Sequence, residues 1–357
     1  MLSVWPDFRY AGRLKTILVT GGAGFFGGVL KREILGAGDR CISVDVCPDE
    51  DEHPNLVKQQ IDIRDRDALD RVFASEHVDG VVHCAAMLAH GSEDPKQLWT
   101  SNVDGTRNVL EAMGKCGVRQ MAFTSTNCLW GEGLKRPVRE DDPPNPIEAY
   151  GRSKMEAERV IREYTDLNSA IIRCPTIIDY GRLGLLAILF EFIEEGRRVW
   201  TVGGGKNRYQ FIYAKDLANA CLLALDYPKS ETFNIGSDNV KSLAEVYEYV
   251  ISNAKSKSKV ASLPRAPAIA AMKLAYHLGM SPLGPYHYKM IAEDFLFDTS
   301  RIKALLGWTP TVTNEQMLWR AYQYYSENRK EIEGRRDVSA HRKTAKMGVI
   351  RLLKWLS

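Results

Sequence analysis

Thr16-Ile17-Leu18-Val19-Thr20-Gly21-Gly22-Ala23-Gly24-Phe25-Phe26-Gly27 decides how the rest of the chain is read. Five strand-forming residues run straight into a G-x-x-G-x-x-G turn that opens a helix. Gly21 permits the tight turn, Gly24 lets backbone approach a pyrophosphate, and Gly27 lets the helix pack closely on the sheet. The helix N-terminus then offers free N–H groups and about half a positive charge to phosphates. Taken alone, the turn reads equally as a tight strand–helix connection. Asp45 adds weight: it ends the second strand, 18 residues beyond Gly27, near the spacing at which a carboxylate bonds both ribose hydroxyls. A carboxylate there repels a 2′-phosphate and favours NAD over NADP; a strand-end cap is the alternative. Asp62 and Ile63, ending the third strand, read either as flanking an adenine or as a solvated turn.

Outward from this stretch, β-branched runs alternate with helical stretches. The runs are 16–20, 41–45, 57–62, 80–84, 120–125 and 170–173, and between them Val29, Ile34 and Leu35, or Val103, Thr106, Val109 and Leu110, recur at helical spacing. Near-continuous apolar strands joined by crossover helices predict an α/β protein with a doubly wound parallel sheet, its strands' carboxyl ends on one edge. After about residue 180 the pattern loosens. Helices are expected at 183–196, 213–225, 243–254, 299–306 and 314–328, with a last short strand at 232–235. The segment 261–285 reads as a Pro-broken, Ala-rich mobile stretch over a cleft. This half has too few strand signals for a second sheet of any size.

Composition excludes several classes. The chain has 357 residues, 45% hydrophobic and 26% charged, with 28 Gly and 15 Pro scattered rather than periodic. This is the profile of a soluble globular protein, not a collagen, a low-complexity chain or a solenoid. No uninterrupted apolar run approaches the ~18 residues of a membrane span. The start, MLSVWPDFRYAGRLK, lacks a signal peptide's apolar core, and seven cysteines without a C-x-x-C read as reduced thiols, so a cytoplasmic protein is expected. The net charge of +3 excludes a strongly basic nucleic-acid binder. The charge is uneven, since nine Lys/Arg and three acids fall between Arg329 and Ser357. No H-E-x-x-H or paired-acid spacing points to a metal, and His83 and His90 are lone histidines, the former a packed strand residue.

The reacting groups stand at 150–154, YGRSK. Tyr150 and Lys154, four apart, share a helix face. A free phenol titrates near 10, too high for a base at neutral pH, but an ammonium within about 4–6 Å and an oxidised nicotinamide favour the phenolate. Such a spacing is common by chance; its position at the sheet's carboxyl edge lifts it. A hydroxyl from the preceding strand would hold the reacting oxygen, with Thr126 the first choice and Ser125 the second.

Together these residues resemble the extended short-chain dehydrogenase/reductases, the NAD-dependent epimerase/dehydratases. The resemblance runs from Lys15 to about Tyr325, on TGGAGFFG, Asp45, HCAA (83–86), Asn102 in NVDGT, STNCLWG, YGRSK, FIYAKDLANA, FNIGS and FDTSRIKALLGWTP. It implies a Rossmann sheet with a smaller, mainly helical C-terminal substrate domain, and homodimers packed through helices around 100–114 and 150–164. It implies NAD held by Gly21, Gly24, Phe25, Phe26, Gly27, Asp45, Asp62, Ile63, Ala85, Asn102, Tyr150, Lys154 and Pro175. Lys154 would touch the nicotinamide ribose and Pro175 would lie near the nicotinamide. The triad would be Thr126, Tyr150 and Lys154, and the substrate would meet Ser125, Thr126, Asn127, Thr176 and Arg208. The expected division is 14–180 with 206–238 for NAD, 181–205 with 239–328 for substrate, and a basic tail at 329–357.

Departures narrow the activity. Asn127-Cys128 stands where 4,6-dehydratases carry Asp-Glu, so no acid is placed to expel water. Thr176 replaces a frequent Asn. Arg208 lies one place early relative to Phe211, and a second arginine is replaced by His287 and Lys289; fewer bidentate forks weaken diphosphate recognition. A surface ion pair is the alternative for Arg208. Trp130 stands where the family usually has Tyr, as pocket wall or core. The tail stretch KMGVIRLLKWL (346–356) has a basic amphipathic pattern suited to an anionic membrane interface, or to a partner subunit. The leading expectation is a nucleotide-sugar epimerase or oxidoreductase. A 3β-hydroxysteroid-dehydrogenase-like oxidation of a hydrophobic alcohol comes second, and a non-catalytic NAD-sensing or scaffold protein third.

Overall fold

The computed structural model describes residues 15–88, 94–131, 133–280 and 290–334. Seven strands make the central sheet: β1 (Thr16–Thr20), β2 (Arg40–Asp45), β3 (Leu56–Gln60), β4 (Gly80–His83), β5 (Gln120–Thr126), β6 (Asn168–Cys174) and, late in the chain, Glu231–Asn234. Every pairing is parallel. The last of these strands lies outside β6, followed across the sheet by β5, β4, β1, β2 and β3. The strand order therefore reverses between β1 and β4, where a doubly wound sheet opens a crevice at its carboxyl edge.

Helices cover both faces, α1 (Phe25–Gly36) and α7 (Ala214–Leu225) on one and α2 (Arg66–Ser75), α4 (Gly105–Lys115) and α5 (Ala149–Glu163) on the other, while α3 (Pro95–Trp99) and α6 (Leu186–Glu194) lie off the sheet. On one face Ile17 and Val19 of β1 pack with Leu30 and Ile34 of α1 and Leu217 and Cys221 of α7. On the other, Leu18 packs with Leu69, Val109, Leu110 and Val160 of α2, α4 and α5. Alternate residues of one strand serve opposite faces, which is why TILVT is apolar throughout.

The second half holds more strand than its sequence signalled. β7 (Thr176–Ile178) pairs β9 (Phe211–Tyr213), and β8 (Val199–Val202) pairs β11 (Val260–Leu263), each pair parallel; the strand at Glu231–Asn234 is β10. Runs of three or four residues are too short to show a periodicity of their own. Pro175 marks the exit from the main sheet: Cys174 still pairs Thr126, whereas Thr176 pairs Phe211. These elements, with α6, α8 (Leu243–Asn253), α10 (Ser300–Leu306) and α11 (Asn314–Gly334), surround a third core containing Trp130, Phe190, Phe211, Val246, Phe297 and Leu318.

Other expectations need correction. The stretch read as Pro-broken from 261 contains β11 and α9 (Arg265–His277). Pro267 is the third residue of α9, where a backbone N–H has no intrahelical partner, so proline is tolerated. β3 ends at Gln60, leaving Asp62 in the following turn, and α11 continues past 328 to Gly334. Among the described residues no helix is long and apolar enough to cross a membrane. All seven cysteines are free. His90, His287, Lys289 and the tail at 346–356 lie outside the described residues.

Candidate active site

The glycine turn is built by close approach. Gly21 has φ +74°, and a Cβ there would lie 2.9 Å from the Ala85 nitrogen, so β1 and the end of β4 meet at the crevice. A Cβ on Gly27 would lie 2.1 Å from the Gly21 carbonyl oxygen. The third glycine thus lets α1 close on the turn itself, not on the sheet as its sequence position suggested. α1 has neither a side-chain cap nor an acid in its first turn, so its positive end is not offset locally. Asp45 closes the turn from β2: one carboxylate oxygen accepts the Ala23 N–H (3.0 Å), the other the Cys47 N–H (2.9 Å). This cradle fits a dinucleotide, with backbone donors for phosphate and a carboxylate for ribose.

Below the turn lies a feature the sequence did not signal. Lys31 of α1 is almost wholly buried and pairs with Asp49, whose carboxylate also accepts the Ser43 hydroxyl, and with Asp51 at 2.9 Å. Ser43 in turn abuts Gly22. A lysine inside an amphipathic helix reads as a solvent-facing residue until its partners on the 46–54 loop are known.

Thr126 ends β5, and Tyr150 stands in the first turn of α5. The Thr126 oxygen accepts the Cys128 N–H at 3.1 Å, which leaves its hydroxyl hydrogen to face the Tyr150 phenol, whose pKa it pulls down. Gly151 makes this approach possible: a Cβ there would lie 2.2 Å from the Cys128 carbonyl oxygen. Lys154, one turn on, is 2% exposed, with its ammonium 3.9 Å from the Phe123 ring centroid. Burial lowers its pKa to about 8, against the pull of Cys174, Cys84 and Glu158. Tyr150 does not show the acidity expected of it. Burial pushes its phenol up, and Thr126 only partly opposes this. In the chain by itself desolvation sets the direction.

A buried chain of hydrogen bonds joins the two halves of the site. The Thr20 hydroxyl accepts the Ala85 N–H (3.2 Å) and lies 2.6 Å from His83 Nδ1; His83 Nε2 lies 2.9 Å from the Thr106 hydroxyl. Thr106 donates to the Asn102 carbonyl at 2.7 Å, so it accepts from Nε2–H, and Nδ1 accepts from Thr20. Burial first, then Lys154, lowers the His83 pKa to about 3, which keeps the ring neutral. Asn102 sits in a π-helical turn, Thr100–Asp104. Its amide donates to the Met87 carbonyl (3.0 Å) and to Ser153 (2.9 Å), and its oxygen accepts the Met87 N–H (2.7 Å). Both amide hydrogens are thereby used within the protein.

The remaining expected residues divide. Phe25 and Phe26 are buried at the start of α1. Pro175 is buried at the β6–β7 break. Asn127 reaches away from β5 to the Tyr209 hydroxyl at 2.5 Å, a partner the sequence reading did not single out. Thr176 is half-buried in β7. Ser125 is not free to hold a substrate oxygen: it donates to Glu158 at 2.6 Å, inside a buried cluster in which Arg173 grips both Glu158 oxygens (3.0 and 2.7 Å). Asp62 is clamped by Arg64, whose pairing holds its carboxyl below the usual range, and Ile63 is buried against Gly105. Arg208 forms a surface pair with Asp294 at 3.2 Å, the alternative reading. Trp130 is core, edge-on to Phe297.

Over residues 17–236, more than half of the chain, the sequence matches the model of the NAD dependent epimerase/dehydratase family. The chain belongs to this family of α/β enzymes, the extended short-chain dehydrogenase/reductase type expected from its motifs, whose cofactor is NAD. It is 36% identical over 349 residues to the uncharacterized protein y4nG of Sinorhizobium fredii, covering 96% of this chain and 87% of that one. It is 30% identical over 253 residues to a UDP-glucose 4-epimerase of Lacticaseibacillus casei, covering 62% and 76%. Among solved structures it resembles the UDP-glucose 4-epimerase of Thermotoga maritima with UDP-glucose, at 25% identity and a TM-score of 0.72 over 88% of this chain and 99% of that one.

Proposed function

We propose that this protein is an NAD-dependent epimerase or oxidoreductase acting on a hydroxyl of a nucleotide-linked sugar. The observation that carries the proposal is the placement of Thr126 at the carboxyl end of β5 beside Tyr150 in the first turn of α5, with the Lys154 ammonium buried a helical turn away against Phe123 of β5. Bound NAD would supply the acceptor that takes hydride from a sugar carbon and gives it back. Gly21, Gly24 and Gly27 would admit its pyrophosphate and Asp45 its ribose. Thr126 holds the reacting hydroxyl, Tyr150 takes its proton, and Lys154 steadies the phenolate. The positive charge of an oxidised nicotinamide is what would overturn the desolvation that keeps Tyr150 protonated. With Asn127-Cys128 after the triad hydroxyl, dehydration has no acid to serve it.

The division of labour follows the sheet: 14–180 with 206–238 hold NAD, and 181–205 with 239–328 hold substrate. The packing of helices around 100–114 and 150–164 against a second copy, and a membrane contact through the 329–357 tail, belong to the same proposal. One observation favours the second reading, oxidation of a hydrophobic alcohol: Arg208 is engaged by Asp294, which removes a fork for a diphosphate. Incubation with UDP- and GDP-sugars separates the two. Interconversion of C4 epimers without released NADH supports the first; NADH released with a lipid alcohol and none with nucleotide sugars supports the second.

A further inference from the structure

Helix α9 is apolar nearly all round yet buries little. Its sequence, RAPAIAAMKLAYH, carries two cationic residues and a histidine among ten apolar or aromatic ones, and only Ala275 of the helix is buried. Such a helix normally lies inside a protein or against another apolar phase. Pro267, Ala270, Ala271, Leu274 and Leu278 recur at helical spacing, and all five are exposed. Leu274 is 62% exposed, Leu278 59% and Met280 50%. Of the ten large apolar side chains exposed among the described residues, four fall between 274 and 280, so this is one patch and not the usual scatter.

Charge identifies what covers the patch. From 249 to 280 the chain contains Lys255, Lys257, Lys259, Arg265 and Lys273 and no aspartate or glutamate, although the chain as a whole carries 45 acidic residues. Arg265 has the nearby Glu293 at 3.5 Å; Lys255, Lys257, Lys259 and Lys273 appear in none of the ion pairs recorded among the described residues. Arg265 and Lys273 on the helix itself, with the lysines of the preceding loop, suit an anionic bilayer, which offers both an apolar phase and a negative surface. We infer that α9, with the 278–280 turn, is a docking surface that lays the substrate-side half of the protein on an anionic lipid membrane. It involves residues other than those of the 329–357 tail and does not depend on the identity of the substrate.

The test is flotation of the full-length protein with vesicles containing phosphatidylglycerol, compared with vesicles of phosphatidylcholine alone. Binding to the anionic vesicles is expected, weakened by salt and by neutral lipid. The exposed double change L274E/L278E should reduce it by about tenfold or more, and K273E by several-fold, with NAD binding and the unfolding midpoint unchanged. Three results would overturn the inference. One is no binding by the wild-type protein. Another is binding that survives L274E/L278E and disappears on removing 338–357, which assigns the contact to the tail. The third is a wild-type oligomer that L274E/L278E dissociates in solution, which assigns the patch to a second copy.

Discussion

The Asn102 amide nitrogen lies 2.9 Å from the Ser153 hydroxyl, which donates to the Tyr150 carbonyl at 2.8 Å. Through this pair, the loop after β4 is fastened to the helix that carries the phenol, while His83 fastens β4 to Thr20 at the end of β1 and to Thr106 in the first turn of α4. The amide is irreplaceable by its isosteric acid, because both its hydrogens have buried acceptors. Asn102→Asp should lower stability by about 1–3 kcal/mol, from unsatisfied acceptors, and weaken NAD binding. Urea unfolding and a fluorescence titration with NAD check it; unchanged values would show that the relay positions nothing.

Gly151 governs a second contact. A methyl group there meets the Cys128 carbonyl, so Gly151→Ala must lift the start of α5 from the end of β5 and lengthen the Thr126–Tyr150 contact. Turnover should fall by about tenfold or more, since misplacement near 1 Å is costly, with KM changing less. Steady-state kinetics on whichever sugar the UDP- and GDP-sugar incubations turn over provide the reading.

Removing the phenol oxygen tests the proton transfer. Tyr150→Phe should cut kcat by about 10²–10⁴-fold, and Thr126→Val by less, both with NAD still bound. Cofactor content measured after denaturation, beside the rate, separates lost chemistry from lost cofactor.

Gly27→Ala places a methyl about where the Gly21 carbonyl stands, and the backbone cannot move without opening the cradle. NAD affinity should fall by more than tenfold, about 1.4 kcal/mol or more. Calorimetric titration with NAD gives the number.

Asp179 supplies a pH signature of its own. It is buried, accepts the Tyr180 N–H at 2.7 Å, and burial raises its pKa from 3.8 to about 6 despite Arg320, Lys215 and Arg32 nearby. A carboxyl whose folded pKa is raised binds more protons folded than unfolded between those two values. Its ionisation therefore costs stability in full above about pH 6, and the cost fades as pH falls towards 4. Asp179→Asn should stabilise the protein at pH 7 by no more than about 3 kcal/mol and confer little below pH 4. Unfolding midpoints across that range decide it; a variant equally stable or less stable at pH 7 contradicts the sign.

The sheet was legible because, β3 (LVKQQ) apart, its first six strands carry apolar runs that alternate with helix-period stretches, and because the glycine turn marks where the order reverses. Thr126, Tyr150 and Lys154 were legible for the same reason: their spacing places them at one edge. What the sequence hid depends on partners far along the chain. Ser125 looks as available as Thr126 until Glu158 and Arg173 are seen to claim it. Asp62 and Arg208 look like ligand residues until Arg64 and Asp294 are found beside them. Gly151 draws no attention between Tyr150 and Lys154, yet it sets the distance between α5 and the Cys128 carbonyl at the end of β5. The short strands β7, β8, β9 and β11 exist by pairing, which no local pattern announces.

The most direct trial of the account is a crystal structure with NAD bound. It predicts the pyrophosphate over the Gly21–Gly27 turn, both ribose hydroxyls on Asp45, and the Tyr150 phenol within about 4 Å of the nicotinamide ring or its ribose, beside Lys154. A nicotinamide directed away from the Thr126 end of β5, or separated from Tyr150 by ordered protein, would contradict it.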